Sequence, residues 1–196
     1  MTILASPPLA SLGAWLEQLV AESIGKQGKG IIPVDGEPLT APASYGNDRL
    51  FAYFSLNGEA DPEQERMVAS LEQAGEPVVR ITLDERYMLG QEFFRWELAT
   101  AVAGSVMALN PFDQPDVESA KILAREMVAA YSETGALPEG QNSPPEPKVL
   151  DEFLSSVQPG DYIAIQAYVH PTPEVEAELQ VLRLEARNRY KGKNRL

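Results

Sequence analysis

The 196 residues carry 29 acidic and 16 basic side chains, a net charge of −13, with 44% hydrophobic and 23% charged residues. That composition fits one globular domain with a sizeable core and argues against disorder, and the acidic excess repels phosphate backbones and anionic lipid, so nucleic acid and membrane surfaces are poor partners. Without cysteine there are no disulfides, thiolate nucleophiles or cysteine metal sites; no apolar run reaches the ~18 residues of a membrane span, the N-terminus lacks the basic start of a signal peptide, and a cytoplasmic location is expected.

Along the chain, Leu12, Trp15, Leu16 and Leu19 fall at helical spacing and predict a helix over Ser11 to Ser23, with Gly25 where a C-cap belongs. A Gly/Lys stretch (Gly25 to Gly30) and a short apolar run, Ile31 to Val34, follow. Asp35 to Asn47 reads as a loop, and Arg49 to Leu56 is β-like. Asp61 and Pro62 predict an N-cap and first helical residue, with Gln64 completing a capping box, for a helix ending near Gly75. Val78 to Leu83 reads as a second strand. Strands alternating with helices imply crossovers and a parallel sheet.

Gly90 to Leu109 is the most apolar helix and is expected to be buried on more than one face. Pro111 breaks it, and Pro115 opens another helix running to about Ser132. Gly135 to Pro147 reads as a surface linker and Val149 to Val157 as a short helix. Asp161 to Val169 is a nearly continuous apolar run, the pattern of a central parallel strand. A final helix follows Pro173. The class predicted is α/β, a three-layer α/β/α sandwich with a mainly parallel sheet.

Few residues point to chemistry on their own. The only histidine, His170, precedes Pro171 at the expected strand end and reads as a surface or capping residue. One histidine and no cysteine argue against a zinc site and a Ser/His/Asp triad, so no metal or organic cofactor is expected. Gly25, Gly28 and Gly30 match neither a dinucleotide fingerprint nor a phosphate-binding P-loop. Arg183, Arg187, Arg189, Lys191, Lys193 and Arg195 crowd the C-terminus; they read as a solvated helix end favoured by the helix dipole, with polyanion binding as the alternative. Three features remain. Glu22 closes the first helix, and alone reads as an exposed last-turn glutamate. Asn110 to Pro115 feeds a helix N-terminus, whose free N–H groups suit an anionic or hydroxyl-rich ligand or a simple cap. Lys121 lies seven residues past Gln114, roughly 10 Å along the helix on the same side; flanked by Ala120 and Ile122, it reads as a partly buried or a surface lysine.

Together these pieces resemble a family. The run from Asn110 to Lys121, NPFDQPDVESAK, resembles the N-x-F-D-Q-x-x-V-x-x-x-K signature of glucose-6-phosphate isomerases, and Ala21 to Lys26 resembles their E-S-x-G-K segment. The resemblance implies that Gln114 contacts the sugar phosphate, that Lys121 approaches the ring oxygen or the C1 hydroxyl, and that Glu22 is the base carrying a proton between C2 and C1. Gly90-Gln91-Glu92 falls where the family has N-G-Q-H; Glu92 stands in the place of the histidine and Leu89 in that of the asparagine, so a histidine role does not carry over and Glu92 becomes a candidate general acid. Gly90 to Lys121, and Trp15 to Leu39, look most like the isomerase half of transaldolase–isomerase fusions.

The resemblance implies a sugar-isomerase (SIS-like, flavodoxin-like) domain over residues 1–187 and a basic tail over 188–196. It implies glucose 6-phosphate and fructose 6-phosphate as ligands, a homodimer, and an N-terminal isomerase or transaldolase domain in relatives. The upstream sugar-isomerase domain whose Ser/Thr/Lys-rich loop holds the phosphate has no counterpart in these residues, so the site is expected to be incomplete. A non-catalytic sugar-phosphate-binding domain and a structural dimerisation domain are the alternatives.

Overall fold

The computed structural model describes residues 1–46, 48–138, 146–158 and 161–190. Strands β1 (Thr2–Ala5), β2 (Phe51–Leu56) and β3 (Val78–Leu83) form one parallel sheet in the order β1-β2-β3. Val34 adds a short parallel bridge outside β1: Ile3 N–H donates to the Val34 carbonyl and Val34 N–H to that of Met1, each at 2.8 Å. The helices are α1 (Ser11–Ile24), α2 (Pro62–Gln73), α3 (Leu89–Met107), α4 (Pro115–Thr134), α5 (Pro147–Ser155) and α6 (Pro173–Tyr190).

The strand period sorts side chains onto two faces. Ala52, Phe54 and Leu56 of β2 join Leu12 and Leu16 of α1 on one face, with Trp96 of α3 packed against them. Phe51 and Tyr53 join Val68 and Leu71 of α2 on the other. All six residues of β2 are buried, as a middle strand covered on both faces must be. The three layers are therefore α1 with α3, the sheet, and α2.

Local signals explain most boundaries. The Asp61 carboxylate accepts from the N–H groups of Glu63 and Gln64 at 2.8 and 3.3 Å, and Pro62 opens α2. The predicted capping box is only half formed. Gln64 does not reach back to Asp61; its amide donates instead to the Ala5 carbonyl at 3.0 Å, tying α2 to the end of β1.

Three expectations are corrected. Helix α3 buries only Glu92, Thr100 and Gly104, while Phe94, Leu98, Val102 and Val106 are exposed along one side at four-residue spacing. One side of α3 packs on α1 and the sheet, through ring contacts Trp15–Phe93 and Phe54–Trp96; among the described residues no element covers the other. Next, residues 161–169 hold no strand, only a single bridge at Tyr162, and Tyr168 is almost fully exposed. An apolar run becomes a strand only where a sheet edge pairs with it, and the central position belongs to β2. His170 therefore stands in an exposed loop rather than at a strand end.

The third correction concerns the basic end. Arg183 donates to the Asp35 carbonyl at 2.9 Å, and Arg187 is buried against Glu37 at 2.7 Å. These two arginines anchor α6 to the loop after Val34 instead of forming a solvated helix end. Arg189 is exposed beside Asp151 at 3.7 Å. Lys191, Lys193 and Arg195 lie outside the described residues.

Candidate functional site

Helix α1 ends at Ile24, and the chain doubles back at once. Lys26 and Lys29 exchange backbone hydrogen bonds of 3.1 and 3.0 Å around Gln27 and Gly28, both at positive φ. Glycine takes that conformation without strain; Gln27 is held in it by the closed turn. The turn aims the Lys26 side chain inward, where only 2% of it reaches solvent.

The partner segment lies more than eighty residues along the chain. Helix α3 ends on Ala108 in the left-handed conformation, which caps the helix and redirects the backbone. Leu109 is buried with Val20 and Ile24 of α1, and the Pro111 ring packs against Gly104 so closely that a Cβ there would lie 3.2 Å from it. Asn110 Oδ1 accepts from Phe112 N–H at 3.1 Å and holds the tight link before α4. Lys26 Nζ donates to the Asn110 carbonyl at 2.8 Å, to the Asp113 carboxylate at 2.8 Å, and to the Asp113 carbonyl. The ammonium holds the Asp113 carboxyl below the usual carboxylate range by hydrogen bonding and charge. From the other end of the same turn, Lys29 Nζ donates to the Met107 carbonyl at 2.9 Å.

This arrangement brings two of the sequence-predicted residues together. Gln114, at the N-cap of α4, donates from Nε2 to Glu22 Oε2 over a long 3.4 Å, while Gln18 donates to Glu22 Oε1 at 3.2 Å. Glu22 is half-buried and Gln114 exposed. Both carboxylate oxygens thus face amide donors, beside the N-terminus of a twenty-residue helix with its positive dipole end.

Lys121 and Glu92 stand apart from that contact. Lys121 is exposed on the second turn of α4, not partly buried, roughly 10 Å along the axis from Gln114. Glu92 is buried near the start of α3, with Arg95 at 3.1 Å from Oε1 and no hydrogen-bond partner on Oε2. Burial raises its pKa, and the Arg95 charge offsets part of that rise. About 22 Å of helix axis separates Glu92 from Met107, which packs with Val20 and Ile24 near Glu22. Within one chain Glu92 therefore stands near the far end of α3 from Glu22.

Sequence reasoning passed over Lys26 and Asp113 as functional residues. Their signal was available only as membership of the two motif-like segments, because a lysine and an aspartate 87 residues apart give no local pattern. Among the described residues no group of three or more His, Asp or Glu side chains is placed to hold a metal ion. No described helix is long and apolar enough to cross a membrane.

No protein-family model matches the chain. It is similar to a curated probable glucose-6-phosphate isomerase of Methanococcus maripaludis, 28% identical over 165 residues that cover 68% of this chain and 36% of that protein. It is also similar to the glucose-6-phosphate isomerases of Streptococcus pyogenes serotype M6, 29% identical, and Heliobacterium modesticaldum, 27% identical, each covering 66% of this chain and 36% of the relative. The two motif-like segments that meet at Glu22 and Gln114 thus belong to a chain that is distantly similar to glucose-6-phosphate isomerases over two-thirds of its length and spans little more than a third of theirs.

Proposed function

We propose that residues 1–187 form a sugar-isomerase domain of the glucose-6-phosphate isomerase type, which interconverts glucose 6-phosphate and fructose 6-phosphate when a second domain completes its site. The observation that carries this reading is the contact of Glu22 with Gln114, which joins the two segments that resemble that family. Glu22 is the base: it takes the proton from C2 of the open-chain aldose, and the C–H electron pair forms the C1–C2 double bond of a cis-enediol. The O1 oxygen takes up the developing negative charge and receives a proton as the O2 proton is lost. Glu22 then returns its proton to C1 as the C2 carbonyl forms. Lys121 supplies the cation that offsets charge on oxygen, and Gln114 with the first N–H groups of α4 positions the ligand.

The exposure of Gln114 and Lys121 supports the need for a second domain. Enediol chemistry requires that water be excluded and charge–charge terms be strengthened, and this surface lies open. An N-terminal isomerase domain, and a second copy of the chain in a homodimer, are the partners proposed for that role. The alternative reading, a non-catalytic sugar-phosphate-binding or dimerisation domain, is favoured by the same openness and by the exposed side of α3.

The test is interconversion of the two sugar phosphates by the purified chain, alone and with an N-terminal isomerase domain added, against Glu22→Gln. Turnover that appears on addition and is lost in the variant supports the isomerase. Sugar-phosphate binding without turnover in either mixture selects the non-catalytic reading, and the absence of both sinks the proposal.

A further inference from the structure

We infer that Lys26 is a positioning residue, the clamp that sets Gln114 against Glu22. This inference takes its functional meaning from the site proposed above but rests on its own geometry. One ammonium, on a side chain 2% exposed, spends its three donors on one short segment: the Asn110 carbonyl, the Asp113 carbonyl and the Asp113 carboxylate. An ammonium has three N–H donors, so Lys26 is saturated and holds none for a ligand. Its task is internal.

The clamp joins the two halves of the candidate site. Lys26 follows Glu22 by four positions, just past the end of α1, and Asp113 directly precedes Gln114. Pinning Asp113 to Lys26 fixes where α4 starts and so where the Gln114 amide points. The remaining contacts of this link hold its earlier part: Pro111 on Gly104, and Lys29 on the Met107 carbonyl. Among the described contacts, Lys26 and the Gln114–Glu22 hydrogen bond are the ones that tie Asp113 and Gln114 to α1. A bond as long as 3.4 Å is weak by itself, so its persistence depends on the clamp beside it.

The test reads the Gln114 side-chain amide by nuclear magnetic resonance of the whole chain at one neutral pH, as a double-mutant comparison. In the native background Glu22→Gln should move the Gln114 side-chain signals, because it replaces the carboxylate that the amide faces. In a Lys26→Met background the same Glu22→Gln substitution should leave them in place, and amide exchange over residues 110–118 should speed up, while the signals of Leu16 and Phe54 in the core stay in place. Lys26→Arg, which keeps a cation and N–H donors at similar reach, should retain part of the response. A Gln114 response to Glu22→Gln that is unchanged in Lys26→Met overturns the inference, as does a native background in which Glu22→Gln leaves the Gln114 signals unmoved. A chain unfolded in both Lys26 variants also overturns it, because Lys26 would then hold the whole domain rather than this link. None of these readouts needs turnover. An intact clamp with no isomerase activity refutes the proposed function and leaves the inference standing.

Discussion

Glu37 Oε1 accepts a 2.7 Å hydrogen bond from Arg187 across 150 residues of chain, with both side chains withdrawn from water. The other oxygen of Glu37 accepts from Arg49 at 2.5 Å, and both guanidinium groups stand over the Tyr45 ring, at 5.0 and 5.4 Å. One buried carboxylate thus ties α6 to the loop before β2. Removing one member of a buried pair leaves an uncompensated charge, which costs about 3–5 kcal/mol. Glu37→Ala is expected to destabilise by about that amount, measured by urea unfolding, because two arginines lose the same buried carboxylate at once. By contrast Arg125→Ala, which breaks a single exposed ion pair to Glu118 at 2.7 Å, should cost only about 0–1 kcal/mol. Equal effects of the two substitutions would show that the Glu37 cluster is solvated.

Glu92 gives a pH-dependent prediction with a definite sign. Burial raises its folded-state pKa above the usual carboxylate value. The folded chain then binds more protons than the unfolded one, so this group's contribution is present below the usual carboxylate range and is lost as pH rises through the raised pKa. Glu92→Gln should therefore raise Tm at pH 7 and leave it nearly unchanged at pH 4. The pair of melting curves decides the matter: a lower Tm at pH 7 would mean that the bond to Arg95 outweighs desolvation.

Two leucines separate the buried layer from the uncovered side of α3. Leu16 is fully buried between α1 and the sheet, whereas Leu98 is 54% exposed. Leu16→Ala should cost about 2–5 kcal/mol, and Leu98→Ala about 0.5 kcal/mol or less. Denaturant midpoints of the two variants give the comparison. A large loss at Leu98 in the chain by itself would show that α3 is covered in solution.

The proposed chemistry predicts a split between the two residues that meet at 3.4 Å. In a mixture that turns over sugar phosphate, Glu22→Gln should lower kcat by about 10²-fold or more, the scale of general base catalysis. Gln114→Ala should act mainly on KM, since an amide that positions the ligand binds ground and transition states alike. Steady-state kinetics at saturating and limiting substrate separate the two, and a Gln114 variant that loses kcat alone would reassign that residue to the chemistry.

The sequence by itself determined what is local. The Asp61–Pro62 start of α2, the span of α1, the positions of β2 and β3, the Pro115 start of α4 and the Pro173 start of α6 all rest on caps, prolines and side-chain period. Those signals act between residues a few positions apart, so they are legible without the fold. The motif resemblance likewise marked Glu22 and Gln114, because it too is written in short segments. What only the tertiary structure decided is which distant groups meet. Lys26 with Asp113 and Glu37 with Arg187 are pairs 87 and 150 residues apart, and no periodicity announces them. The same reason explains the misread elements. The apolar patterns of α3 and of residues 161–169 register a tendency to leave water, but whether a surface is covered depends on what packs beside it. In this chain α3 is covered on one side, 161–169 pairs with no sheet edge among the described residues, and β2 holds the middle of the sheet.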